Sequence, residues 1–145
     1  MHDESTQNEE RVTLASALTS FSQAELIDKA LKHITTDRVR LQDAPYWIAY
    51  SFMNRHAKLA TWEWMKENWE WMSKNLGTDI SFSRMPIYAG RCFSDVNFLP
   101  EFKAFFETRL STGFERPVKQ AIETIEWQAA WKERDLDAIS KYLNR

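Results

Sequence analysis

Three histidines, His2, His33 and His56, are the first place to look for metal or proton chemistry in this chain. A zinc hydrolase needs His-Glu-x-x-His on one helical face, with two imidazoles a turn apart and a general base between them. None of the three histidines begins such a motif, and the polar neighbours of His33 and His56 make both surface or turn residues. No Gly-x-Ser-x-Gly elbow occurs, and three glycines in all cannot build a phosphate-cradling loop. Cys92 lies in a run with Tyr88 and Phe93 and no nearby histidine, so it reads as a small buried hydrophobe rather than a nucleophile. The pairs Glu9/Glu10 and Glu123/Glu126 read as solvated helix faces, not acid–base couples. No catalytic, cofactor-binding or metal-ligating residue is expected in this chain.

One arrangement suits binding. Arg84 and Arg91 are seven residues apart on an expected helix, so both share a face, with Tyr88 one turn from each. An arginine fork matches a carboxylate bidentately, and Gln42, at the entry to another helix, could add an amide donor. The competing reading is that both arginines are solvated and only keep the helix soluble.

Composition narrows the classes of partner. The chain is 43% hydrophobic and 28% charged, an ordinary globular balance. Seven Trp, nine Phe and four Tyr fit a core between large helices better than a base-stacking surface. A net charge of −2 argues against nucleic acid, whose partners are usually strongly basic. A single cysteine cannot form an internal disulfide, no run approaches a membrane span, and the first residues are acidic and polar rather than a signal peptide. A soluble cytoplasmic chain is expected.

The elements that position these residues centre on Thr61 to Leu76. Leu59, Trp62, Met65, Trp69, Met72 and Leu76 form one apolar stripe at helical period. Trp64 and Trp71 form a second pair about 160° around the helix from Trp62 and Trp69. Two stripes predict a helix wedged between neighbours. Gly77 is expected as its left-handed C-cap, with Lys74 facing the negative end.

In chain order, residues 1 to 4 are a ragged start, and a first helix runs from Ser5 to Thr19 with Leu14, Leu18 and Phe21 inward. Ser22-Gln-Ala-Glu25 is a capping box for a second helix, with Leu26, Ile27, Ala30, Leu31 and Ile34 inward. Asp43 caps a third, with Pro45 in its first turn and Tyr46, Ala49, Tyr50 and Met53 on one face. After the Trp helix, Ser81 or Ser83 opens a fifth to about Phe93, in which Pro86 is tolerated because it falls early. A sixth covers Phe98 to Arg109 and buries Phe98, Phe102, Phe105 and Phe106. Thr112-Gly-Phe-Glu115 is a second capping box, opening a helix through Trp131 with Phe114, Val118, Ala121, Ile122, Ile125 and Ala129 inward. Asp135 caps the last helix, with Leu136, Ile139 and Leu143 inward. No strand-like alternation appears, so the class is all-α.

Helix pairs start near Ser5, Asp43, Ser81 and Thr112, about 38, 38 and 31 residues apart. That spacing is near the period of HEAT and armadillo solenoids. The expected architecture is one domain over residues 1–145, a superhelical stack of about four antiparallel helix pairs, about eight helices, with one concave face.

Four stretches in register then resemble the C-terminal helical domain of the aminopeptidase N family of zinc metallopeptidases, which includes the endoplasmic-reticulum aminopeptidases. Arg38-Val-Arg-Leu-Gln-Asp-Ala-Pro45 is similar to the family's Gln-Asp entry to a helix. Trp62-Glu-Trp-Met-Lys-Glu-Asn-Trp69 resembles its Ala-Trp-x-Phe/Trp-x-x-x-Asn-Trp helix. Phe102 to Phe106 resembles its Phe-Phe ahead of a polar turn. Gln120-Ala-Ile-Glu-Thr-Ile-Glu126, Trp131-Lys-Glu-Arg-Asp135 and Tyr142-Leu143 resemble its closing helix. The likeness runs from about Glu10 to Leu143.

The resemblance implies a fragment of a larger zinc aminopeptidase, beginning away from a natural helix boundary. The family's His-Glu-x-x-His and Gly-x-Met-Glu-Asn segments are absent, so no catalytic residue carries over and zinc belongs to the parent alone. In the family this domain is a bowl of helix pairs that caps the catalytic domain, encloses the active-site cavity and limits peptide access. The implied partners are the N-terminal catalytic domain of the same polypeptide and peptide substrates, with no nucleic acid and no membrane. Arg84, Arg91, Tyr88 and Gln42 would line the concave face and hold a peptide's C-terminal carboxylate. The alternative is an independent helical-repeat scaffold binding a protein or peptide in its groove.

Overall fold

A computed structural model describes residues 8–110 and 113–144. Every regular element among them is helical: α1 (Asn8–Leu18), α2 (Ala24–His33), α3 (Ala44–Met53), α4 (Lys58–Glu67), α5 (Trp69–Leu76), α6 (Ile80–Ser83), α7 (Met85–Cys92), a 3₁₀ turn (Val96–Phe98), α8 (Leu99–Glu107) and α9 (Glu115–Leu143). The all-α expectation holds. The starts expected at Ser5 and Thr112 lie outside the described residues. Two compact units divide between Met85 and Pro86.

In the first unit, α3 packs against α1, α2 and α4, and α5 against α4 and α6. The Trp stretch supplies its core. Trp62, Met65, Met72 and Leu76 are buried on one stripe and Trp64 on the other, with Trp69 and Trp71 half-buried, so two faces are covered as expected. The single helix is, however, divided at Asn68 (φ −103°, ψ 16°), whose Nδ2 donates to the Trp64 carbonyl at 2.8 Å. An asparagine side chain competing for the carbonyl of its own preceding turn is a known source of such bends. Leu59 is 65% exposed and leaves the stripe.

The expected caps fail in informative ways. α2 starts one residue late, at Gln23, because the first-turn amides of Leu26 and Ile27 close on the Gln23 carbonyl at 3.1 and 3.0 Å. Ser22 therefore caps nothing. Asp43 does hold the N-cap position of α3, with Pro45 in the first turn, but its carboxylate makes no bond to the helix. Arg40 takes it instead, Nε to Oδ2 at 2.7 Å and Nη2 to Oδ1 at 3.1 Å, a bidentate pair stronger than a neutral cap bond. α3 also turns the other way: Trp47, Ile48, Ser51 and Phe52 are buried, Tyr46 is exposed, and Met53 is 74% exposed. Both faces carry apolar residues, and the one with Trp47, Ile48 and Phe52 removes more apolar area from water. Leu26 of α2 is exposed while Ile27, Ala30, Leu31 and Ile34 are buried.

Gly77 is right-handed (φ −59°, ψ −23°), not the left-handed cap expected. Its need for glycine is steric, since an added Cβ would run into the Ser73 carbonyl oxygen. The helix expected from Ser81 or Ser83 to Phe93 is two helices. Asp79 caps α6, its Oδ1 accepting from the Ser81 amide at 2.7 Å, and α7 restarts at Met85. Pro86, second in α7, has no N–H to continue the earlier ladder.

In the second unit, Phe98, Phe102, Phe105 and Phe106 are buried as expected. Phe93 stacks on Phe98 at 3.8 Å between ring centroids, and Phe102 tilts against Phe106 at 4.8 Å. α8 and the 3₁₀ turn pack against α9. The break expected before Asp135 is absent, and α9 is one helix of 29 residues. Asp135 is held by its neighbour Arg134, Nε to Oδ1 at 2.9 Å and Nη2 to Oδ2 at 2.7 Å, rather than capping anything. The face that buries Val118, Ala121 and Ile125 continues at helical spacing through Leu136, Ile139 and Leu143, yet these three are exposed. The reason is length: α8 has 9 residues, about 14 Å, and α9 runs about 43 Å. The second half of α9 outruns its partner.

Candidate functional site

The candidate site is built where α7 ends against the middle of α9. Gly90 and Ala121, both buried, bring the two helices close: a Cβ on Gly90 would lie 2.7 Å from the Ala121 Cβ. One residue further, the Arg91 carbonyl accepts a long 3.4 Å hydrogen bond from Gln128 Nε2. Around that contact a cavity of about 450 Å³ is lined by Arg91, Cys92 and Ser94 on one side and Trp127, Gln128, Trp131 and Lys132 on the other.

Trp127 and Trp131, one turn apart on α9, are 60% and 50% exposed. Lys132 and Arg91 are both exposed. Two indole faces beside two cations can hold an apolar or aromatic group together with an anion. Among the described residues, the cavity lining contains no carboxylate or imidazole. Among the described residues no three His, Cys, Asp or Glu side chains converge on a point that could hold a metal ion.

Arg91 lies in the last turn of α7 and enters the cavity lining, while Tyr88 is half-buried one turn earlier. Arg84 is exposed and lies between the end of α6 and the start of α7. Gln42 is exposed in the turn before α3. Cys92, expected buried, is half-buried, and His56 is exposed with Nε2 accepting from Arg55 Nε at 3.1 Å. Trp127 and Lys132 were missed as site residues; the two tryptophans four apart were their visible signal.

The described residues thus form an all-helical domain with a cavity set between α7 and α9. The chain belongs to the ERAP1-like C-terminal domain family, whose profile matches residues 1–126. It is 30% identical over 139 residues to Aminopeptidase 2, mitochondrial, of Saccharomyces cerevisiae, covering 94% of this chain and 14% of that protein. It is 32% identical over 131 residues to Aminopeptidase M1-D of Oryza sativa subsp. japonica, covering 90% of this chain and 15% of that protein. With Aminopeptidase N of Lactococcus lactis subsp. cremoris it shares 32% identity over 108 residues, 74% of this chain and 13% of that protein. The chain spans about one-seventh of the length of these curated relatives. No helix among the described residues is long and apolar enough to cross a membrane.

Proposed function

We propose that this chain is the non-catalytic C-terminal module of a zinc aminopeptidase, a hydrolase that removes N-terminal residues from peptides. Its role is to cap the catalytic domain of the same polypeptide, enclose the active-site cavity and shape peptide access. One observation carries the reading: relatives named aminopeptidases align over 90% or more of this chain, yet the chain accounts for only 14% and 15% of them. The metal, the general base and the site for the substrate's free amine belong to the remainder of the parent. The cytoplasm is the proposed compartment, supported by the lone cysteine. The independent scaffold gains no support from the comparisons.

Within this reading, Arg84, Arg91, Tyr88 and Gln42 help hold the tail of a peptide. The exposure of Arg84, Arg91 and Gln42 and the place of Arg91 beside two tryptophans support it. The test pairs the purified chain with the catalytic remainder of a parent enzyme. Peptide trimming that appears only in the mixture is the expected result. Trimming by the chain alone, or a remainder that handles long peptides equally well without it, would overturn the proposal. In the mixture, Arg91→Ala should lower kcat/KM on longer peptides and spare dipeptide-sized reporters.

A further inference from the structure

The first unit holds a second cavity, of about 420 Å³, between α1, α2 and the segment leading into α3. Its volume falls in the range of small-ligand sites, and its lining is the usual mixture of many apolar groups and a few polar ones. Leu14 and Leu18 of α1 and Phe21 of the segment after it line the cavity with Leu26 and Ala30 of α2 and Trp47 of α3. The polar members are Lys29, His33 and Arg38, all basic residue types, and no carboxylate among the described residues lines the cavity although the chain carries more acidic than basic residues.

The charge placement is specific. Lys29 and His33 are four apart on α2 and so share a face. Neither side chain has a hydrogen-bond or ion-pair partner among the described residues. The neighbouring carboxylate, Asp28, is taken by Lys32 at 2.7 Å. Lys29 and Arg38 are exposed and His33 is half-buried, whereas Ala30 and Trp47 are buried. Leu14, Leu18 and Phe21 are half-buried, so open apolar surface lies beside groups that can donate hydrogen bonds to an anion.

We propose that this cavity binds a fatty acid, the alkyl chain among Leu14, Leu18, Phe21 and Trp47 and the carboxylate at Lys29 and His33. Lys29 supplies a charge that no carboxylate among the described residues pairs with, and the His33 ring, on the same face of α2, supplies an N–H. Affinity rises about fourfold for each methylene that the cavity buries and levels off once it is full.

Calorimetric titration of the 145-residue chain with octanoate, decanoate and dodecanoate, each below its critical micelle concentration, tests this. One site per chain, with affinity rising along the series, is the expected result. Dodecyltrimethylammonium, which has the same tail and the opposite charge, should bind at least tenfold more weakly. Lys29→Glu, an exposed substitution with no partner among the described residues, should weaken dodecanoate tenfold or more and leave the melting curve in place. Equal binding of the cationic and anionic amphiphiles, an unchanged affinity in Lys29→Glu, or no saturable site in the unaltered chain would each overturn the proposal. The outcome is independent of whether the chain serves an aminopeptidase.

Discussion

Gly90 on α7 and Ala121 on α9 sit so close that a Cβ at position 90 would lie 2.7 Å from the Ala121 Cβ and 2.9 Å from its Cα. Both residues are buried. This contact holds α7 against α9 and places Arg91 beside Trp127 and Trp131. Gly90→Ala should destabilise by about 1–3 kcal/mol through overpacking, despite a helix-propensity gain of up to about 1 kcal/mol. Ala121→Gly should recover part of the loss in the double variant. Urea melts of the four proteins measure the coupling, and additive effects would show that the two sites do not touch.

Asn54 ties the turn after α3 to the end of α1. Its Nδ2 donates to the carbonyls of Thr19 at 2.9 Å and Phe21 at 2.7 Å, and its Oδ1 accepts from the His56 amide at 2.9 Å. Asn54→Ala leaves those groups without their partner and should cost about 1–3 kcal/mol. Asn54→Asp should cost more, because it replaces the donor with a charged acceptor aimed at two carbonyls. The measurement is the denaturant midpoint of each variant at neutral pH.

The two tryptophans of the principal stripe should behave differently. Trp62 is 1% exposed, and Trp62→Ala should cost about 3–5 kcal/mol, enough to unfold a domain of ordinary stability or nearly so. Trp69 is half-buried and tilts against Phe82 at 5.1 Å between ring centroids, so Trp69→Ala should cost less. Circular dichroism during urea unfolding ranks the pair. Equal losses would mean that Trp69 is as enclosed as Trp62.

The outer half of α9 should tolerate charge where the inner half tolerates not even truncation. Ile125 is fully buried, and Ile125→Ala should cost about 2–5 kcal/mol. Ile139 lies on the same face beyond the reach of α8, and Ile139→Lys should stay within about ±0.5 kcal/mol. Binding of an apolar dye should fall in Ile139→Lys, since Leu136, Ile139 and Leu143 are exposed together.

The Arg134 guanidinium, by hydrogen bonding first and by charge second, holds the Asp135 carboxyl below the ordinary carboxylate range. A depressed folded-state value contributes stability above the unfolded value and loses it as the pH falls through the folded one. Carboxyl titration by NMR should place Asp135 low in the unaltered chain and return it towards the ordinary value in Arg134→Gln. A value unmoved by that substitution would remove the pairing as its cause.

Class and most of the core followed from residue order alone. The Trp62, Met65, Met72, Leu76 stripe and the Phe98, Phe102, Phe105, Phe106 cluster are buried as their spacing required, because a helix this rich in large apolar groups must cover them. The family likeness was also written in the sequence, in stretches carried by Asp43, Trp62, Trp69 and Trp131. Tertiary structure decided the rest, wherever a residue type had two uses. Asp43 and Asp135 were equally good caps and ion-pair partners, and a nearby arginine settled each in favour of the pair. α3 had two apolar faces, and the choice between them depended on which neighbours covered it. Asn68 could continue a helix or bend it, and Pro86 divided one expected helix into two. The close approach of Gly90 to Ala121 accompanies the gathering of Arg91, Trp127 and Trp131 around one cavity. Helical period reports which side of an element is apolar; only packing reports how far along the element that side finds a partner.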